Sequence, residues 1–552
     1  MDVLLQKALF GGKELSHADA ATLYMRTDDD QLRFAIRSKS DDLPSFTVPL
    51  KNPQTGQPNY HHVSAYVALT GKSVIIDDIY AEKRFDLTGT HAFDKESGYR
   101  SISMLTVPLL PRGGRPIGVL QLINAIDPET GEVIPFDATI LGFVEAMAAQ
   151  AAVALDNLRL AKAQETLLTS VTEMVASAID TKSPYTGGHC ERVPEVGRML
   201  AEAACNATQG PFADFKMNKW EWREFHLAGW LHDCGKVSTP EYVVDKATKL
   251  ETIYNRIHEV RTRFEVLLRD RIIDYQKGLL AGGDPQQLKE KLEHESAALK
   301  DDFDFLAECN VGGEYMAPAK IERLKQIATT PWQRHFSDRI GLSDIESRRL
   351  RNTPVPELPV TENLLADHPH HIVSREEIPL SFDTEKLGLK LTIPKHLYNY
   401  GELYNMAIPK GTLTPEERFK INEHVILSLK MLNQLPFPEE MSRVADIAAS
   451  HHETMNGTGY PRKLSKAEMP LQSRIMAIAD IFEALTARDR PYKKPKKMSE
   501  ALKILNIMCR EQHIDEELFD LFIESGVWQE YGETFLHSEQ LDVADASAFL
   551  SR

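Results

Sequence analysis

The sequence predicts an α+β N-terminal domain, an antiparallel sheet with helices, joined by one long helix to an all-α C-terminal domain. Three observations carry that expectation. Alternating, β-branched segments bounded by turn residues are confined to the first 126 residues. A proline-free apolar stretch then runs from Asp137 to Asp180. From residue 165 onward the amphipathic runs repeat at helical spacing.

In chain order, TLYMRT and LRFAIRS flank the turn-forming DDDQ and read as strands, followed by SVIIDD, SISMLTVPLLP and PIGVLQLINAI. RGGR at 112–115 reads as the turn that joins the last two into an antiparallel pair. FDATILGFVEAMAAQAAVALDNLRLAKAQETLLTSVTEMVASAID predicts a helix over 138–180. It outlasts any small domain, so it is expected to link domains and to pair with its copy in a second chain. Further on, ETIYNRIHEVRTRFEVLLRDRIIDYQKGLLA carries apolar residues at 253, 257, 260, 264, 267 and 268, a helical stripe. GGDP at 282–285 breaks it, and QQLKEKLEHESAALKDDFDFLAEC returns as a second, antiparallel helix. Between about 310 and 405 the segment VPELPV and its polar neighbours predict loops, with SFDTEKLGLKLTIP as a hairpin.

At 552 residues the chain is too long for one core and calls for two to four domains. Its 64 basic against 81 acidic residues leave a net charge of -17, which argues against a nucleic-acid or anionic-membrane surface. The five cysteines include no CxxC pair and suit reduced thiols. The first residues lack a basic segment followed by an apolar run, and no stretch holds 18 uninterrupted apolar residues. The expected setting is soluble and cytoplasmic, with no nucleic-acid or membrane partner.

The segments ADAATLYMRTDDDQLRF, GVLQLINA and AMAAQAAVALDN resemble a GAF domain over residues 1–158. GAF domains are sensory modules, and some bind cyclic nucleotides through an Asn-Lys pair, a Phe and a later Asp-Glu pair. Asn124 and Phe136 match that pattern, but Ala125 stands in place of the Lys and no Asp-Glu pair follows. A ligand-binding sensor and a ligand-free dimerising scaffold both remain open.

HHETMNGTGYP at 451–461 sets two imidazoles beside a turn, and GWLHDCGKVSTPEY upstream sets His232 beside Asp233. Such pairs each supply several ligands from a short stretch. Imidazole nitrogen with carboxylate oxygen suits first-row transition ions such as Fe or Mn, and an Asp can bridge two of them. Residues 165–552, interrupted by an insertion at about 260–405, resemble an HD-GYP domain, a subgroup of the HD-type metal-dependent phosphohydrolases that degrades cyclic di-GMP. Five blocks occur in family order: SPYTGGHCERV, LHDCGK, LTPEERFKINEHV, HHETMNGTGYP and RIMAIADIFEALTARDRPYKK.

The resemblance implies metal ligation by His189, His232, Asp233, His424, His451, His452 and Asp480. It implies His189, His232, Asp233 and Asp480 around one ion and Asp233, His424, His451 and His452 around the other, with Asp233 bridging. Lys236 falls where a phosphate oxygen would be met, making Asp233 and Lys236 the catalytic pair. Arg490 and Lys493 fall where substrate phosphate is contacted, although TARDRPYKK runs one residue longer than the family pattern. Gly459, Tyr460 and Pro461 form the GYP triplet, expected to shape the pocket or a partner surface. Asn456 replaces the usual Asp, and Tyr185 stands where some members hold a third metal with Glu. Two metals are therefore expected rather than three. His258 is out of register with the family's ligand position, and His61, His62, His294, His370 and His371 match no motif.

His232 and His424 stand roughly 190 residues apart, where the family needs about one helix-turn-helix, so about 150 residues are inserted. Covering the active site, contacting the GAF domain and binding a partner all stay open for them. The expected function is a dimeric, GAF-regulated phosphodiesterase acting on cyclic di-GMP to give pGpG or GMP. The alternatives are a non-hydrolysing cyclic dinucleotide receptor and an enzyme for another cyclic dinucleotide such as cyclic GMP-AMP.

Overall fold

The computed structural model describes residues 2–38, 47–53, 55–181, 188–313, 315–487 and 495–551. The chain divides into two compact units, Met1–Leu168 and Thr169–Arg552.

The first unit is built on strands β1 (Ala18–Arg26), β2 (Gln31–Arg37), β3 (Thr47–Pro49), β4 (Val74–Ile76), β5 (Met104–Leu109), β6 (Gly118–Ile126) and β7 (Val133–Ile134). They run in the order β3-β2-β1-β6-β5-β4, with β7 on β6, and every pairing is antiparallel. Leu109 lies opposite Gly118, so the RGGR turn closes the β5–β6 pair as the sequence predicts. The period of two along β6 decides what covers each face. Leu120 and Leu122 pack with Leu5 and Leu9 of the helix Asp2–Leu15 and with Val144, Ala148, Ala152 and Leu155 of the helix Ala138–Asp180. Val119 packs on the opposite face with Met104, Leu32, Val63 and Val67. The helix Asp2–Leu15 is absent from the sequence reading. Its Gly11-Gly12 pair interrupts the periodic pattern, yet a Cβ at Gly12 would meet the Leu120 side chain, so close packing on the sheet explains a glycine there.

The linker helix Ala138–Asp180 has 43 residues, without the internal break that two separate helices would need. By length and composition alone it could cross a membrane, with an 18-residue window of mean hydropathy 1.6. In this fold Val144, Ala148, Ala152 and Leu155 spend part of that apolar surface on the sheet. Leu160, Leu167, Val171 and Met174 are exposed.

The second unit is helical. Val193, Val196, Leu200, Phe225, Leu429, Ile447, Ile475 and Phe482 come from five helices, His189–Asn206, Lys219–Leu231, Pro415–Leu432, Val444–Ala449 and Leu471–Thr486, and meet in one core. The start of Pro415–Leu432 is fixed by a capping box between Thr414 and Glu417, with Pro415 at the first helical position.

Residues 250–406 contribute a second, smaller core. Its helices Ile257–Leu280 and Pro285–Val311 pack on each other, and Asp284 accepts from the N–H groups of Gln286 and Gln287 to start the second. Ile257, Val260, Phe264 and Leu267 form the buried stripe. Ile253, counted in that stripe from sequence, precedes the helix and is 90% exposed. The two ends of this stretch are stitched together. Lys249 Nζ donates to the carbonyls of Met406 (3.0 Å) and Ile408 (2.7 Å), and buried Lys246 pairs with Glu417 at 2.8 Å. With its ends held together, a long insertion adds little closure entropy to the domain that hosts it. The segment SFDTEKLGLKLTIP departs from its predicted hairpin: Leu387 N–H bonds to the Asp383 carbonyl and Leu389 N–H to that of Thr384, a local turn with no ladder.

Candidate metal centre

Five chain segments converge, and two of them meet because their backbones approach closely. His232 follows the helix Lys219–Leu231, and Asp233 precedes a short 3-10 turn, Cys234–Ser238. Gly235 in that turn lies against the carbonyl of His424, where any Cβ would overlap the oxygen, and its N–H bonds to Ser428 Oγ at 2.8 Å. The absence of a side chain at Gly235 thus lets the His424 helix reach Asp233. His189 opens the helix His189–Asn206, His451 and His452 follow Val444–Ala449, and Asp480 lies on Leu471–Thr486.

The Asp233 carboxylate faces both sides. Its Oδ2 lies 3.2 Å from His189 Nε2 and 3.2 Å from His232 Nε2, while its Oδ1 lies 3.1 Å from His424 Nε2. Asp480 Oδ1 joins the first side at 3.3 Å from His189 Nε2. His424, His451 and His452 form the second side, their ligand atoms within 4.8 Å of one another, and His189, His232 and Asp233 form an equally tight first group.

The orientation of four of the five imidazole rings has a local cause. His232 Nδ1 is bonded to the Gly229 carbonyl (2.7 Å), His424 Nδ1 to that of Ile421 (2.5 Å) and His451 Nδ1 to that of Ala448 (2.6 Å). His189 Nδ1 is bonded instead to Glu483 Oε2 at 2.5 Å, and Glu483 is held in turn by Arg192 Nη2 at 2.6 Å. In these four rings Nδ1 is occupied and Nε2 is left for the site, the arrangement that fixes a ligating tautomer. The buried Nε2 atoms of His189, His232, His424 and His451, and Asp233 Oδ1, have no hydrogen-bond partner among the described residues. Orphaned donor atoms converging from two sides of one carboxylate fit a pair of divalent cations.

The electrostatics agree with that fit. Burial, then repulsion from the neighbouring imidazoles, pushes His451 down to about 4 and His452 well below the ordinary histidine value, leaving both neutral and able to ligate. Burial alone would raise Asp233, but the Lys236 ammonium, 2.5 Å from Oδ2, and the surrounding imidazoles hold its carboxyl well below the usual range. Asp480 is likewise raised by burial and lowered further by His189.

The GYP turn stands at one side of this site. Gly457 has φ of +73°, and a Cβ at Gly459 would meet the backbone of Glu453 and Thr454, so glycine is required at both. Buried Glu453 accepts from the N–H groups of Arg462 (2.6 Å) and Leu464 (2.9 Å) and ties the turn to the histidine pair. Tyr460 stacks on His452, ring centroids 4.9 Å apart, and its N–H bonds to the His452 carbonyl.

All seven predicted ligand residues therefore meet in one place, with Lys236 beside them. Arg490, Lys493 and Tyr185 lie outside the described residues. His258 is exposed and bonded to Arg261, away from the cluster as its register predicts. Asn124 uses its side chain on the fold: it accepts from Ile102 N–H and donates to the Arg100 carbonyl and Tyr99 hydroxyl. The sequence reading passed over Glu483 and Glu453. Glu453 follows the His pair directly, which is a signal; Glu483, one helical turn beyond Asp480, is distinguished only by its distance to His189.

The GAF domain family model matches residues 1–155, and the HD domain family model matches residues 359–518. The chain joins a GAF domain to an HD domain. The HD match covers His424, His451, His452 and Asp480; His189, His232 and Asp233 lie before it, on the other side of the inserted helices. An HD domain implies a divalent-metal site, in keeping with the orphaned imidazoles. Among curated relatives, the chain is 41% identical over 98 residues to a cyclic di-GMP phosphodiesterase of Thermotoga maritima, covering 18% of this chain and 26% of that one. It is 33% identical over 153 residues to 3'3'-cGAMP-specific phosphodiesterase 1 of Vibrio cholerae, covering 26% of this chain and 34% of that one. The matches thus span about a quarter to a third of those relatives' lengths. The GAF domain is also similar to that of Thermosynechococcus elongatus PixJ, with 17% identity, 30% of this chain and 91% of that chain covered, and a TM-score of 0.23.

Proposed function

We propose that this GAF–HD chain hydrolyses a cyclic dinucleotide, cyclic di-GMP first, to linear pGpG or onward to GMP. The observation that carries the reading is the Asp233 carboxylate presenting one oxygen to His189 and His232 and the other to His424. His189, His232, Asp233 and Asp480 would hold one divalent ion, and Asp233, His424, His451 and His452 the other, with Fe or Mn suited to the donor set. When bound, such a pair supplies activation of water and neutralisation of phosphoryl charge during in-line attack.

The chain's own residues do the rest. Glu483 and the backbone carbonyls lock the imidazoles, so little reorganisation is needed when charge develops. Lys236 keeps an ammonium at the carboxylate, placed to meet a non-bridging phosphate oxygen. Arg490 and Lys493 are proposed as further phosphate contacts. Water cleaves the P–O3′ bond of the ring; the phosphate stays on the 5′ oxygen and the 3′ oxygen leaves as a hydroxyl. Exposed apolar residues on the linker helix support a homodimer through the GAF domain and that helix, and free cysteines support a cytoplasmic setting.

The match to a cGAMP-specific relative over 153 residues favours 3'3'-cGAMP as the second substrate to test. A pure receptor would not need every orphaned imidazole in place. The deciding experiment loads the anaerobically purified chain with Fe or Mn, measures metal stoichiometry, and follows cyclic di-GMP and 3'3'-cGAMP by chromatography. Two ions per chain and conversion of at least one substrate are expected. A two-ion protein that converts neither overturns the reading.

A further inference from the structure

Residues 381–394, within the stretch that the HD family model matches, run between the helix that carries His424 and the GYP turn. Lys430, on the helix that carries His424, donates Nζ to the Ser381 carbonyl at 2.5 Å. Asp383 then caps a local turn, its Oδ1 accepting from the N–H groups of Glu385 and Lys386. Leu387 packs, partly buried, against the HD core. Lys390 N–H donates to the carbonyl of Pro461 at 3.0 Å, in the GYP turn itself. At the far end Arg375 bonds to the carbonyls of Pro394 and His396, and its guanidinium lies 5.0 Å over Phe419 of the His424 helix.

The GYP turn is therefore held from two directions. Glu453 grips the N–H groups after Pro461, and the Lys390 N–H grips the Pro461 carbonyl from the segment 381–394. Directly before both gripped groups in the chain stands Tyr460, stacked on His452.

We propose that residues 381–394 are a strap that positions Tyr460 over the His424–His451–His452 half of the site and so sets how tightly the site takes its substrate, a role that rests on the phosphodiesterase reading. The strap is anchored at both ends; among the described residues one backbone hydrogen bond joins it to the turn, and its Leu387 packs, partly buried, on the HD core. That attachment is weak enough to come off without unfolding the HD core, whose helices are held by many more buried apolar residues. A docked strap pre-pays the ordering of Tyr460, and a released strap leaves substrate to pay it. Release therefore raises KM while kcat changes little.

The test compares Lys390→Pro, which deletes the donor, with Lys390→Ala, which keeps the amide, and adds Leu387→Asp to unseat the strap by a second route. Metal content should be the same in all three. Lys390→Pro and Leu387→Asp are each expected to raise KM about threefold to tenfold over Lys390→Ala, with kcat within about twofold. Hydrogen exchange should quicken about tenfold in peptides covering 459–464 and stay unchanged in 193–206. Equal KM in the proline and alanine variants, or unchanged exchange at 459–464, overturns the strap. If the wild-type chain hydrolyses no cyclic dinucleotide, the exchange measurement still decides whether the strap holds the turn, so the two readings fail separately.

Discussion

Gly235 lies directly under the carbonyl of His424, and that approach is what brings the two sides of the metal centre onto one carboxylate. An alanine there would force the helix Pro415–Leu432 away from the Asp233 turn. Overpacking of this kind costs about 1–3 kcal/mol, and here the displacement falls on a ligand. Gly235→Ala is expected to lower the melting temperature by several degrees and to weaken metal binding at least tenfold. Titration with Mn under calorimetry checks the second effect. Unchanged affinity would mean that the two sides do not depend on this contact.

The same contact shows what the sequence could and could not supply. The convergence of the seven residues was legible because His232-Asp233 and His451-His452 are adjacent pairs in ordered family blocks. The β5–β6 hairpin and the long linker were legible from RGGR and from an unbroken apolar run. Glu483 was not, because a carboxylate on an amphipathic helix looks like any solvated residue until its distance to His189 Nδ1 is known. SFDTEKLGLKLTIP misled for a physical reason. Its alternating apolar residues promise a strand, but Asp383 closes a local turn and the Lys390 amide is spent on Pro461 in another part of the chain.

The bridging carboxylate and its lysine should separate in mutagenesis. Asp233→Ala removes a ligand shared by both sides and is expected to abolish hydrolysis and metal retention together. Lys236→Ala removes one charge-assisted contact worth about 1.5–3 kcal/mol, so it should raise KM roughly tenfold to hundredfold with two ions still bound. Elemental analysis beside steady-state kinetics resolves the pair. Wild-type turnover in Asp233→Ala would rule out the two-metal mechanism.

Lys249 offers a stability signal independent of the metals. It is buried at the stitched ends of the insertion, and burial pushes its ammonium down to about 8. In the unfolded chain it titrates near the ordinary lysine value of about 10.4. Between those values the unfolded state binds more protons, so this group's contribution to stability rises with pH from about 8 to about 10 and is absent below. The difference in melting temperature between wild type and Lys249→Met should therefore shift in favour of wild type over that interval. A constant difference from pH 7 to 10 would show that Lys249 keeps an ordinary pKa in the fold.

The linker helix carries the last prediction. Leu160, Leu167 and Met174 are exposed and spaced seven residues apart, with Val171 between the last two on the same side. A seven-residue apolar repeat on a solvent-facing helix is the pattern of a two-stranded coiled coil, and burying each such side chain contributes roughly 1.5–3 kcal/mol. The same helix ends at Asp180, whose carboxylate accepts from the N–H groups of Gly188 and Cys190 at 3.2 Å each, on either side of His189. A change in helix pairing would thus be felt at the first metal side through one carboxylate, provided the pair has two states that the GAF domain biases. Leu167→Lys combined with Met174→Lys should convert a dimer to monomer in sedimentation at micromolar concentration, and deletion of residues 1–158 should weaken the dimer and shift basal turnover. Asp180→Asn, made in both the full and the shortened chain, should shrink the difference in turnover between them while leaving the full-length dimer intact. A chain that sediments as a dimer despite both lysines pairs through some other surface, and unchanged turnover after the deletion would show that the GAF domain does not act through this helix.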